Sequence, residues 1–197
     1  MKKLIFFVIL SIITLNLFSQ EVKENRFGIS FSMGQTGIYS GEKTVIGGPG
    51  YEGLTGWEVG LNYYHPLTKM LNLESGIYWH YNKIKEIPDY YPGMDLSSRY
   101  YNCNLFYVPL NLKVMLSKWF FVHGGLLLNI DTSISSPISN QTGLGTDFGF
   151  GIVIPVSSHF KISINPFLNI HGLLRLEKGS YPQSLIADGI RITFNIN

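Results

Sequence analysis

Apolar and polar positions alternate along most of the chain after residue 25, in eight segments of roughly 9–16 residues. In the first segment Phe27, Ile29, Phe31 and Met33 alternate with glycine and serine, as expected for a strand with two unlike faces. No segment after residue 25 shows a helical period. The eight predicted strands cover 26–38, 55–64, 71–83, 101–116, 119–131, 143–156, 160–171 and 190–197.

Short and long gaps alternate between these predicted strands. The short gaps lie near 65–69, 117–118 and 157–158, and the long ones near 39–52, 84–99, 131–142 and 173–188. Tight periplasmic turns and longer extracellular loops give this rhythm in transmembrane β-barrels. The pattern therefore predicts an all-β fold, an eight-stranded antiparallel up-and-down transmembrane β-barrel with both termini in the periplasm.

The first 20 residues have the features of a secretory signal peptide. Lys2 and Lys3 precede an apolar run from residue 4 to residue 18, and a polar stretch begins at Glu21. The run is shorter than the roughly 20 residues that cross a bilayer as a helix, so we favour a cleaved signal over an anchor. The predicted organisation is a signal peptide over 1–20 and a barrel domain over 21–197.

Composition supports a surface that faces lipid. Without Lys2 and Lys3 the chain has 13 basic and 13 acidic residues, so it is formally neutral and has no basic patch for nucleic acid. Charged residues make up 14%, below the roughly 25% of soluble domains. A soluble lipocalin-type barrel is the alternative, with apolar residues inside and charges outside. The polar face here carries mostly glycine, serine and asparagine, which favours a membrane barrel with a polar lumen.

Two strands resemble a known family. The segment 106–113, Phe-Tyr-Val-Pro-Leu-Asn-Leu-Lys, resembles a strand of the small outer-membrane β-barrel proteins of Bacteroidetes-type bacteria, often labelled porin-family or PorT-like. The segment 146–151, Thr-Asp-Phe-Gly-Phe-Gly, resembles a second strand of that family. The resemblance extends over residues 21–197 and implies an outer-membrane location. It implies no catalytic or ligand-binding residues.

Charged residues of both signs fall on the predicted lumen face. Because buried charges must pair, we predict an ion-pair network that fills an eight-stranded barrel. Its candidate members are Arg26, Glu58, Glu74, Lys113, Asp147, Lys161 and Arg191. The alternative, implied by the family's porin label, is a narrow channel for small solutes.

A lipid-modifying outer-membrane enzyme is a lesser alternative. Its candidate residues are His171, Asp131 and Ser133, near the outer ends of predicted strands. Cys103 is the one cysteine and lies in no Cys/His cluster, so we expect no disulfide, no metal and no cofactor. We predict a non-enzymatic barrel protein whose partners are the outer-membrane bilayer and an extracellular ligand or protein, bound through the four long loops.

Overall fold

A computed structural model of the chain describes residues 26–40, 49–89, 93, 96–177 and 182–196. The predicted signal peptide lies outside the described residues. The described residues form strands joined by turns and loops, and no helix among them is long and apolar enough to cross a membrane. The strands are β1 Arg26–Ser40, β2 Gly50–Pro66, β3 Leu71–Ile87, β4 Arg99–Met115, β5 Phe120–Asp131, β6 Gly143–Pro155, β7 Phe160–Arg175 and β8 Gln183–Ile196.

The eight strands form one closed antiparallel barrel, which confirms the predicted fold class. Each strand pairs with its neighbours in sequence, and β1 pairs with β8 from Phe27↔Ile196 to Ser40↔Gln183. Closure leaves no strand edge unpaired. We call the end with the short turns at 67–70, 116–119 and 156–159 the turn end, and the opposite end the loop end.

Outward and inward residues alternate as the sequence predicts. On β5, the exposed residues Phe120, Val122, Leu126, Leu128 and Ile130 alternate with buried ones, namely Phe121, His123, Leu127 and Asn129. The run from Phe120 to Ile130 meets the roughly 9–11 residues that a tilted strand needs to cross a bilayer. The outward residues between the turn end and a loop-end border form an apolar belt around the barrel, and none of its described positions is charged. The border residues are Met33, Trp57, Trp79, Phe106, Ile130, Phe148, Leu168 and Ile190, and Asp188, the next outward residue of β8, lies at this border outside the belt.

Aromatic side chains border the belt at both ends. At the turn end, Phe27 packs on Tyr63 with ring centroids 5.3 Å apart, and Phe160 stacks on Phe194 at 6.3 Å. At the loop end, neighbouring strands contribute a second group of contacting rings. Its members are Trp57, Trp79, Tyr81 and Phe106. Tyr64, the neighbour of Tyr63 on β2, is 2% exposed and lies inside the barrel instead of in this border.

Several strands extend further toward the loop end than predicted. β8 begins at Gln183 rather than at 190, β2 begins at Gly50, and β3 and β7 end at Ile87 and Arg175. In this part of β8 the polarity reverses, because Leu185 points inward whereas Asp188 is exposed. A pattern with polar residues inward and apolar residues outward therefore does not predict the first part of β8. The loops predicted at 39–52, 84–99 and 173–188 are correspondingly shorter.

The interior at the loop end is apolar, which corrects the prediction of a wholly polar lumen. Five buried residues from three strands and one loop pack together there. They are Ile84, Cys103, Leu105, Ile138 and Leu185, and we call this group the loop-end cluster. Ile38 and Tyr51 pack against its side.

We predict that Cys103 is inert to thiol reagents in the folded barrel, because its side chain is fully buried in the loop-end cluster. A polyethylene-glycol maleimide should label it only after unfolding, as a gel shift would show. The matched control moves the cysteine to the surface with Cys103→Ser and Ile134→Cys, since Ile134 is fully exposed. This variant should label at once when folded. Rapid labelling of Cys103 in the folded wild type would show that the loop-end cluster is wrongly placed.

Candidate functional site: the filled lumen

Arg191 of β8 lies in the barrel interior and reaches across it to Glu58 of β2. Its Nε and Nη2 donate to Glu58 Oε1 at 3.0 and 2.7 Å. The other oxygen, Oε2, lies 3.2 Å from His80 Nδ1 and accepts a hydrogen bond from the Tyr107 hydroxyl at 2.7 Å. Glu58 is 1% and Arg191 3% exposed, so protein groups rather than solvent compensate both charges.

Asp147 of β6 faces the other side of the same guanidinium. Its Oδ2 lies 3.7 Å from Arg191 Nη1 and 3.5 Å from His123 Nδ1. The same oxygen accepts a hydrogen bond from Asn111 Nδ2 at 2.5 Å. One guanidinium thus lies between two carboxylates. We call Glu58, Asp147 and Arg191 the central hub.

Aromatic rings enclose the hub and fill the cross-section of the barrel. Arg191 Cζ lies 4.4 Å from the Phe167 ring centroid and 4.9 Å from that of Tyr78. Tyr78 stacks on Tyr107 with centroids 4.9 Å apart and planes 7° apart. Gly60 makes room for this stack, because a Cβ at that position would overlap the Tyr78 ring.

Two further residues of the predicted network lie nearer the turn end and bond to amides. Arg26 Nη2 donates to Asn72 Oδ1 at 2.9 Å. Glu74 Oε1 accepts from Asn62 Nδ2 at 3.1 Å. The described residues include no ion pair between Arg26 and Glu74 within 4.0 Å.

The last two predicted residues, Lys113 and Lys161, are also at the turn end. Lys113 Nζ lies 3.8 Å from the Phe121 ring centroid and 5.0 Å from that of Tyr64. Lys161 lines the opening of the lumen. The structure therefore joins three of the seven predicted residues in the hub and places the other four in a separate, mostly cationic layer.

A polar layer separates the hub from the loop-end cluster. His171 Nδ1 lies 2.9 Å from Asn129 Oδ1, and Thr36 hydrogen-bonds Asn82. Asn169 Nδ2 donates to the Tyr107 hydroxyl at 3.3 Å and so connects this layer to the hub.

The loop at 132–142 folds into the mouth of the barrel instead of projecting from it. Ile138 joins the loop-end cluster. Gln141 is fully buried, and its side chain donates to the Gln183 carbonyl at 2.8 Å and accepts from the Leu185 backbone at 3.1 Å. Gln141 N in turn donates to Asp131 Oδ2 at 3.0 Å. This loop covers the lumen with one side, while Ile134 on it is fully exposed. Its predicted role as a binding loop therefore stays a prediction.

The three candidate residues of a lipid-modifying enzyme do not form a triad. His171 is fully buried and bonds an asparagine, not a carboxylate. Ser133 N donates to Asp131 Oδ1 at 3.0 Å, but Ser133 Oγ contacts Cys103 Sγ at 3.5 Å instead of an imidazole. A nucleophile aligned with a general base requires a different arrangement. Among the described residues no group of three or more His, Cys, Asp or Glu is placed to hold a metal ion.

Sequence reasoning missed Tyr78, Tyr107, Phe167 and His80 as members of the site. All four lie on the inward face of their strands, and that position was available from the alternation alone. A search for formal charges omits them, because Tyr78 and Tyr107 are phenols, Phe167 is a hydrocarbon ring and His80 counts as neutral. Large aromatic residues on an inward face that otherwise carries small polar residues would have indicated these members of the site better than charge did.

No protein-family model matches the chain, and no curated protein matches its sequence. Solved structures match in shape. Ail, the attachment invasion locus protein of Yersinia pestis, is 11% identical over 88% of this chain and 100% of its own, with a TM-score of 0.45. The outer membrane protein OprG of Pseudomonas aeruginosa is 10% identical over 86% and 94%, with a TM-score of 0.46. The outer membrane protein AlkL is 10% identical over 91% and 90%, with a TM-score of 0.37. At these identities the likeness is one of fold alone.

Proposed function

We propose that this chain is an outer-membrane β-barrel protein with a closed lumen, whose role is structural or depends on contacts made at its loop end. The observation that carries the proposal is the separation of the two faces. The outward belt carries no charge at its described positions, whereas Glu58, Asp147 and Arg191 are buried inside. Charges inside and hydrocarbon outside are the arrangement of a membrane barrel.

The extent of the belt argues against a soluble barrel. Soluble monomers rarely expose contiguous apolar patches larger than a few hundred Å². Here large apolar side chains on all eight strands are exposed, among them Phe31, Leu61, Ile77 and Phe150. Thr146, an outward hydroxyl at the loop-end border of the belt, donates to the Gly125 carbonyl at 2.8 Å and so needs no water.

The orientation follows from the lengths of the connections. In this proposal the turn end faces the periplasm with both termini, and the loop end faces outward. The exported location rests on the predicted signal peptide over 1–20. The resemblance of the segments 106–113 and 146–151 to small Bacteroidetes-type barrels supports the same location.

The interior favours a closed lumen over a solute channel. The hub and its rings occupy the middle of the barrel, and the loop-end cluster with Ile138 covers its mouth. An eight-stranded barrel is just wide enough for side chains to fill. A selective pore presents a ring of one charge sign, whereas Arg191 here is paired with two carboxylates.

In this proposal a partner binds the outer wall of the barrel at the loop end, where the strands extend beyond the apolar belt. The wall exposes Tyr39 and Tyr100 together with a surface ion pair in which Lys85 Nζ lies 3.3 Å from Glu52 Oε2. Exposed tyrosines give a partner large contact area with one polar atom each. The shortened loops within 39–52, 84–99 and 173–188, together with the exposed part of 131–142, remain the proposed sites of contact.

We predict that arginine is costly on the belt and tolerated on the wall above it. Leu110→Arg places a charge in the middle of the belt and should lower the free energy of unfolding in lipid by about 2–4 kcal/mol. Asn102→Arg is the matched control, because it lies on the same face of β4 beyond the belt and should cost at most about 1 kcal/mol. Reversible urea unfolding in vesicles would measure both. Equal costs at the two positions would contradict the lipid-facing assignment.

We predict no steady conductance from the wild-type protein in planar bilayers. The hub and the loop-end cluster are two closures in series, so removing either alone should leave the barrel silent. Three variants test whether each closure is sufficient by itself. The first carries Arg191→Ser with Tyr107→Ser, the second carries Leu105→Ser with Ile138→Ser, and the third combines all four changes. Only the combined variant should show openings. A stable wild-type conductance would favour the channel instead.

A further inference from the structure

The turn end of the lumen widens into a cavity of about 440 Å³, which we call the vestibule. Five of the residues that line it are cationic, and none of its described lining residues is acidic. The cations are Arg26, Lys69, Lys113, Lys118 and Lys161. The vestibule therefore differs from the hub, where one cation is matched by two carboxylates.

Lys113 is the deepest of these cations. Its residue is 6% exposed, and its Nζ lies over the rings of Phe121 and Tyr64. Among the described residues its ammonium has no hydrogen-bond acceptor and no carboxylate within 4.0 Å. Glu74 attracts the ammonium electrostatically from a distance, but the two groups make no ion pair. A buried ammonium with ring faces on its sides keeps its three N–H donors for another acceptor.

The other groups around the vestibule are suited to the same kind of ligand. Arg26 is held in place by Asn72, so its guanidinium is oriented at the wall of the cavity. Ser163 and Asn195 also line the cavity and are joined by a hydrogen bond of 3.1 Å. Cations fixed by neighbours and accompanied by hydroxyl and amide groups are the usual surroundings of bound oxyanions.

We propose that the vestibule binds a small multivalent oxyanion, one that carries two or more phosphate or carboxylate groups. The volume is within the range of roughly 300–1,000 Å³ typical of small-molecule sites. A compact ligand with two or more negative charges would match both Arg26 and Lys113, whereas a singly charged anion would match one of them. The site would exist whether or not the barrel lies in a membrane, so it does not rest on the function proposed above.

Isothermal titration tests the site with the mature chain, residues 21–197, folded in neutral detergent at low ionic strength. Pyrophosphate and citrate are titrated separately, which distinguishes a phosphate site from a carboxylate site. We expect one of them to bind at one per chain and to weaken as salt is added, since salt screens the attraction. Lys113→Met should weaken binding by about tenfold, equivalent to one charge-assisted hydrogen bond.

The matched control is Lys83→Gln, which removes one lysine from the exposed outer wall and should leave the affinity unchanged. Heat-modifiable gel migration reports whether Lys113→Met still folds. Lys161→Gln, at a half-buried position, gives a second test and should also weaken binding about tenfold. Binding that neither Lys113→Met nor Lys161→Gln weakens would lie elsewhere and would overturn the proposal, as would no binding of either anion.

The carboxylates of Glu21 and Glu24, which precede Arg26 in the sequence, are an alternative occupant of the vestibule. The double variant Glu21→Gln with Glu24→Gln removes both negative charges and so tests this alternative. If this variant binds pyrophosphate or citrate and the wild type does not, the chain's own carboxylates use the vestibule and the proposal fails. Equal binding by both proteins supports an external ligand.

Discussion

The buried guanidinium of Arg191 is the constraint on which the rest of the barrel depends. Moving such a cation out of water costs several kcal/mol unless it is well compensated. Its compensation comes from Glu58 on β2 and Asp147 on β6, and its rings from Tyr78 on β3 and Phe167 on β7. The contacts with β2, β3 and β6 link β8 to strands that are not its neighbours in the sheet, whereas β7 pairs with it directly. The barrel must therefore close with one register for all of them to form together.

The outward face follows from the same arrangement. A strand has only two faces, so when one takes the charges the other is free to be apolar throughout. The belt and its two aromatic borders occupy that second face. Toward the loop end the polarity reverses on β8, where Leu185 is buried and Asp188 is exposed. The reversal marks where the barrel wall rises from a hydrocarbon-like to an aqueous surrounding, in agreement with the proposed location.

Closure at the two ends of the lumen is unequal. The loop end is covered by apolar packing that includes Ile138 and by the hydrogen bonds of Gln141. The turn end holds the vestibule with its excess of cations. The interior is thus a blind recess that opens toward the end carrying the termini, which suits reception of a ligand from that side better than passage through the barrel.

Much of the fold could be read from the sequence because a period of two is a strong constraint. The alternation of Phe27, Ile29, Phe31 and Met33 with small residues already assigns the faces of β1. Alternation cannot show which inward residues meet across the barrel, so it grouped Lys113 with the hub although it lies among rings. It also could not show that residues 132–142 turn inward, since a loop has no period.

Whether a strand residue could be assigned to the inward or outward side from the sequence depended on the polarity of its neighbours. Tyr64 is an aromatic residue near the turn end of β2, but the alternation of β2 puts it on the same inward face as Glu58 and Asn62. The start of β8 was missed because an apolar-inward strand reads as irregular when the rest of the barrel is polar-inward. The sequence thus predicted the barrel, while the grouping of its lumen charges into the hub and the vestibule required distances.

A double-mutant cycle between Glu58 and Arg191 tests the central claim most directly. Glu58→Gln, Arg191→Met and the double variant are unfolded by urea in lipid vesicles, beside the same cycle at the exposed pair Lys85 and Glu52. Each single change at the hub should cost about 3–5 kcal/mol, because it leaves a buried charge uncompensated. The double variant should cost little more than one of them, whereas the exposed pair should couple by less than about 1 kcal/mol. Costs at the hub that add to within about 0.5 kcal/mol would contradict the account, because they would mean that the two residues are not coupled.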